Sequence, residues 1–163
     1  MTEGEFDAAT FRGVLARYVT GVVVVSTCVE GIDHAMTANS FTSVSLDPPL
    51  VLVCVDRESR FHEAVTATDS WAVSVLGADA EPTARWFARR GRPLADQFAH
   101  VAASRGAVSG ALLIDGVVAH LECRTEQLYP GGDHDILLGR VEALAVDSDS
   151  EPLVFYRHRF RGI

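Results

Sequence analysis

The chain has 163 residues, 48% of them hydrophobic and 22% charged, a balance that predicts one globular domain over 1–163 with its core at about 11–160 and excludes a disordered or repeat-built chain. A net charge of −8 works against binding nucleic acid or an anionic membrane surface. Three scattered cysteines, Cys28, Cys54 and Cys123, argue against a disulfide framework or a zinc site, and with an acidic start at residues 1–6 and no membrane-length apolar run they predict a cytoplasmic protein.

Residues 7–18 place Phe11, Val14, Leu15 and Tyr18 on one helical face, with Asp7 as N-cap and Gly21 as the stop. The β-branched run 22–29 suits a buried strand, and Glu30-Gly31-Ile32-Asp33 reads as a hairpin turn into a second. Pro48-Pro49 breaks the chain before the apolar strand 50–55. Residues 59–67 read as a helix, 71–76 as a strand, and Asp79 as the cap of a helix through Arg89. Residues 117–128 and 136–146 read as long strands flanking a Tyr-Pro-Gly-Gly-Asp turn. More strand than helix, in hairpins and not βαβ units, predicts a mainly β (α+β) fold: an antiparallel barrel with a few covering helices. The chain lacks Gly-x-Gly-x-x-Gly and Walker loops, which argues against a Rossmann fold.

Three segments carry the candidate chemistry. In the first, from His34 to Val51, Thr37-Ala38-Asn39-Ser40 and Ser43-Val44-Ser45 lie between apolar strands, and Asn39 is the sole asparagine. Hydroxyls, an amide and backbone N–H groups match the alternating donors and acceptors of a flavin's pyrimidine edge. Donors placed where negative charge gathers in the reduced ring also raise its potential. A solvent-exposed Ser/Thr-rich strand is the plain alternative. In the second, Asp56-Arg57-Glu58-Ser59-Arg60-Phe61-His62, Ser59 can cap a helix or donate to a phosphate, and Arg60 can pair with phosphate oxygens; a simple cap with a surface arginine is the alternative. In the third, Gly131 to Val141, His134 follows a glycine-rich turn, where an exposed loop histidine is the ordinary reading of the residues alone. The other histidines show no metal spacing, so no metal is expected.

These segments, with Leu46-Asp47-Pro48-Pro49-Leu50-Val51 and the ending from Glu151 to Arg161, resemble the short-chain flavin reductases, NAD(P)H:flavin oxidoreductases that feed reduced flavin to separate monooxygenases. The resemblance spans about residues 11–160 and implies an FMN-binding type of split β-barrel, a homodimer with flavin near the subunit interface. FMN or FAD would be the flavin, NADH or NADPH the hydride donor, and a flavin-dependent monooxygenase the functional partner. The resemblance implies that Ser59 and Arg60 hold the flavin phosphate and that His134, the one catalytic candidate, stands beside the flavin where nicotinamide stacks. It extends the cofactor-binding set of the first two segments to Cys54, Phe61, Phe98, Tyr156 and Phe160. Two departures add side-chain volume near the presumed pocket: Ala35 and His158 stand where the family commonly has glycine. Hydride transfer needs no acid–base triad, only two rings held face to face at about 3–3.5 Å. Two other readings stay open, a flavin-retaining electron-transfer or binding protein on the same barrel and an oxidase like those acting on pyridoxamine phosphate.

Overall fold

A computed structural model describes residues 6–163; of the acidic start at residues 1–6, all but Phe6 lies outside them. The chain begins with α1 (Ala8–Leu15), β1 (Thr20–Gly21), β2 (Val23–Val29), β3 (Ile32–Ala38), β4 (Thr42–Leu46) and β5 (Pro49–Asp56). It continues through α2 (Arg60–Thr66), β6 (Ser70–Val75), α3 (Glu81–Ala88), β7 (Ala103–Arg105) and β8 (Leu112–Ile114). The long ribbon of β9 (Ala119–Gly131) and β10 (His134–Val146) follows, then the closing hairpin of β11 (Leu153–Tyr156) and β12 (Arg159–Gly162). No helix among the described residues is long and apolar enough to cross a membrane.

Seven strands form one sheet in the order β3-β2-β6-β9-β10-β5-β4, with every neighbouring pair antiparallel. The mainly β, antiparallel expectation therefore holds. The sheet curls on itself, because one core unites Val23, Val25 and Ala38 near its first edge with Val51, Val53 and Val55 near its other. Its edge strands β3 and β4 are not hydrogen-bonded to each other among the described residues, so the ladder stays open where the chain passes through Asn39, Ser40 and Phe41. Alternation along β5 makes this architecture: Val51, Val53 and Val55 are buried, while Leu50, Leu52, Cys54 and Asp56 line the outer face, half-buried. Trp71 fills the centre of the core, and a Cβ at Gly139 would overlap its ring, so only glycine fits at that point of the β10 irregularity.

Several local readings need correction. Asp7 does cap α1, its Oδ1 accepting from the Thr10 N–H at 2.7 Å. The helix ends at Leu15, not Tyr18, and the backbone N–H groups of Arg17 and Tyr18 bond back to the Val14 and Leu15 carbonyls, three residues before them. Gly21 belongs to β1 and is not the helix stop. Asp79 sits in a short 3-10 turn and provides no cap to α3. The Tyr-Pro-Gly-Gly-Asp segment is mostly strand: Tyr129, Pro130 and Gly131 pair with Ile136, Asp135 and His134, leaving a two-residue turn at Gly132-Asp133. Gly132 takes φ 79° there, a conformation that glycine adopts without strain.

Candidate active site

A cavity of about 290 Å³ opens between β3, the start of α2 and the segment Arg89–Arg92 that follows α3. Thr37, Ser59, Arg60 and Phe61, four residues singled out in the sequence, line it. It also takes in His34, Asp56, Glu58 and the arginines 89, 90 and 92, so four guanidinium groups face two carboxylates in a chain whose net charge is −8. Charge of that sign in a concave site suits a phosphate-bearing nucleotide.

Some of these side chains are already engaged. Thr37 donates its hydroxyl to the Ala84 carbonyl at 2.7 Å, tying β3 to α3. The Ser59 hydroxyl accepts from the His62 N–H at 3.1 Å and donates to the Asp56 carbonyl at 2.7 Å, so it acts as the cap of α2. Arg60 donates to the Arg92 carbonyl at 2.7 Å. Arg92 in turn donates to the carbonyls of Phe87, Arg89 and Ala35, knitting its loop against β3. Its Nε is buried and has no partner among the described residues, an orphan donor beside the cavity. Burial, then the neighbouring Arg60 charge, lowers the pKa of His34. The same two causes lower that of Arg92, although a guanidinium stays protonated. The positive charge of the site thus comes from arginines and not from His34.

A second group lies on the outer face of β5 and β10. Ser40 accepts from the Cys54 N–H at 3.0 Å and donates to the Cys54 carbonyl at 3.3 Å, bracing the link between β3 and β4 against β5. Cys54 pairs with Ile136, and Asp56 with His134, so each pair shares one face of the sheet. Asp56 also lines the cavity and holds Arg90 at 3.0 Å; His134 does not line the cavity itself and is the cross-strand neighbour of this lining residue. The His134 side chain is 42% exposed, with Nδ1 at 2.7 Å from Asp133 Oδ1. That hydrogen bond holds the Asp133 carboxyl below the usual range. Asn39, Ser43 and Val44 are exposed, Ser45 is half-buried and Ala38 is buried; all lie at the open edge of the sheet.

The remaining expected residues lie elsewhere in the chain. Phe98 packs on Phe87 at 5.0 Å between ring centroids, behind the cavity wall. Phe160 packs on Phe155 and under the Arg85 guanidinium, and Tyr156 lies between Arg157 and Arg161, all in or beside the small sheet β1-β11-β12. Of the two residues replacing glycine, Ala35 lines the cavity. His158 does not line it and is instead an exposed turn residue between β11 and β12, with φ 61°. The cofactor-binding residues named from the sequence leave out His34 and Arg92, although His34 opens the first segment and Arg92 belongs to a basic cluster, and Asp135, whose carboxylate is bonded to both Arg57 and His62, is not singled out at all. The signal for Arg92 was the arginine cluster itself; for Asp135 nothing local distinguishes it.

The residues present fit a flavin nucleotide: clustered guanidinium groups and an orphan N–H for phosphate oxygens, and hydroxyls and an amide at an adjoining strand edge for a polar ring. The model of a family described as flavin reductase like domain matches residues 15–163. An NADH-dependent FAD reductase of Streptomyces globisporus is 48% identical over 157 residues, covering 95% of this chain and 85% of that protein. The reductase subunit HsaB of a flavin-dependent monooxygenase from Rhodococcus jostii is 34% identical, covering 96% of this chain and 78% of that one. Among solved structures, the S. globisporus NADH:FAD oxidoreductase SgcE6 in complex with NAD and FAD fragments superposes with a TM-score of 0.92 at 44% identity, covering 98% and 97% of the two chains.

Proposed function

Because the chain belongs to the family of flavin reductase-like domains, we propose that it is an NAD(P)H-dependent flavin reductase that reduces FMN or FAD and releases the product to a partner flavin-dependent monooxygenase. The observation that carries this reading is the arginine-lined cavity lying next to the polar strand edge and to His134. Flavin supplies the hydride-accepting ring, so the protein's task is to bind, orient and exclude water. Arg60, Arg89 and Arg90 offer cationic partners to phosphate, with Arg92 holding their loop in place. Asn39, Ser40 and the Ser43–Ser45 stretch offer donors and acceptors to the ring edge. His134, steadied by Asp133, orients the nicotinamide side.

In this reading the seven-stranded sheet is a split barrel, supported by a core that reaches from β2 and β3 to β5. The protein is a homodimer, supported by the apolar residues of α1 and its exit that one chain leaves exposed: Phe11, Val14, Leu15, Tyr18 and Val19 are each about half exposed or more. Tyr156 and Phe160, which do not line the cavity within one chain, would join a flavin site only from a partner subunit. A cytoplasmic setting is supported by three free cysteines.

Fluorescence titration of the flavin-stripped protein tests the strand-edge assignment. Asn39→Ala and Ser40→Ala are each expected to weaken flavin binding by about 0.5–1.5 kcal/mol. Unchanged affinity in both variants would remove that edge from the site.

A further inference from the structure

Asp135 lies on β10 directly after His134, on the opposite face of the strand, and is buried. Its Oδ1 accepts from Arg57 Nε at 2.8 Å and Nη2 at 2.5 Å, and its Oδ2 is 2.7 Å from His62 Nε2. The Arg57 backbone N–H donates to the Asp133 carbonyl at 3.1 Å. Both sequence neighbours of His134 are therefore tied to the same residue, Asp133 through its backbone and Asp135 through its carboxylate. Arg57 and His62 in turn bracket Ser59 and Arg60, where β5 gives way to α2. Hydrogen bonds from Arg57 and then His62 hold Asp135 below the usual carboxyl range, so it is ionised at neutral pH. The contact to His62 survives either charge state of that ring, since a neutral imidazole can also donate from Nε2. The Arg57 side chain is 43% exposed, so this part-buried pair adds little net stability, while its two N–H donors to one carboxylate oxygen fix direction.

We propose that Asp135 is a positioning residue for the reaction, clamping β10 onto the β5–α2 junction so that His134 stands at a set distance from the Ser59–Arg60 segment. The inference rests on the reductase reading and on the place of His134 within it. A clamp of this kind acts on rate more than on affinity, because small misplacement of reacting groups can lower a rate by as much as about a hundredfold. It is invisible from the cavity, since the Asp135 side chain faces away from His134.

The test is single-turnover reduction of FAD by saturating NADH in the full chain, comparing wild type, Asp135→Asn, His134→Ala and the double variant, with FAD affinity and melting temperature measured for each. Asp135→Asn is expected to slow reduction about tenfold or more while FAD affinity changes less than about threefold. The double variant is expected to be no more than about twofold slower than His134→Ala alone, because both changes act at one point. A merely structural role would instead multiply the two losses, and that result would overturn the proposal, as would an unchanged rate in Asp135→Asn or in His134→Ala. Should Asp135→Asn fail to fold, His62→Gln, which keeps a donor, is expected to retain the rate and His62→Leu to lose it; equal rates in these two overturn the proposal. If wild type itself does not reduce FAD, the reductase reading falls; if wild type is active and Asp135→Asn equals it, only the clamp does.

Discussion

At the turn between β11 and β12, Arg157 and His158 hold φ of 48° and 61°, the left-handed region that side chains resist. Each such residue costs about 1–2 kcal/mol relative to ordinary backbone. His158→Gly is therefore expected to stabilise the fold by about 1 kcal/mol and to raise the melting temperature by about 2–4 °C, read by circular dichroism. A melting temperature that falls would show that the imidazole makes contacts outweighing the strain. Single residues were legible from the sequence where their chemistry is local. Asp7 and Ser59 act as caps because an oxygen three residues before a free N–H has one natural partner, and both bonds are formed. Arg92 was legible only as part of a basic cluster, since its work depends on the carbonyl of Ala35, 57 positions away.

At the scale of elements, β9 carries a carboxylate that builds a distant loop. Glu122 Oε2 accepts from the N–H groups of Val108 and Ser109 and from the Ser109 hydroxyl, at 3.0, 2.6 and 2.7 Å. A Cβ at Gly106 would overlap that carboxylate, so a larger residue there would have to push the Glu122 carboxylate and the Ser109 hydroxyl aside. Burial raises the Glu122 pKa, but the donors from Ser109 and Val108 outweigh it and hold the group below its ordinary value. A depressed folded-state pKa contributes stability above the unfolded pKa and loses it as pH falls through the folded one. Glu122→Gln is thus expected to cost about 1–3 kcal/mol at neutral pH, with the gap from wild type narrowing as the solution is acidified below the ordinary carboxyl range. Melting curves across pH check this, and a gap that stays constant down to strong acid would contradict it. Nothing in the sequence from Gly106 to Gly110 announces this loop, because its partner lies on another strand. The β9–β10 ribbon was legible as two strands, but its turn is shorter than the sequence predicts, because proline and glycine pair in the ladder at Pro130 and Gly131.

At the scale of the molecule, the antiparallel β architecture was legible because runs such as Val22–Val25 and Val51–Val55 can be satisfied only inside a sheet core. Its curling and its open seam depend on long-range pairing that no local pattern encodes. The face of Phe11, Val14, Leu15 and Tyr18 was read correctly as apolar, yet no residue of α1 is buried in the single chain. The proposed homodimer would cover that face. Val14→Asp is expected to convert a dimer to a monomer by light scattering, with the fold kept because Val14 is 61% exposed. A wild-type monomer, or a Val14→Asp dimer as tight as wild type, would contradict that assembly. The claim on which the rest depends is that flavin is a substrate that comes and goes, and NADH oxidation by the flavin-stripped protein with FAD, FMN or no addition tests it most directly. The expected result is turnover only when flavin is added, continuing through many cycles at flavin concentrations above that of the protein. Tight flavin binding without NADH turnover would contradict the account and favour a flavin-retaining carrier.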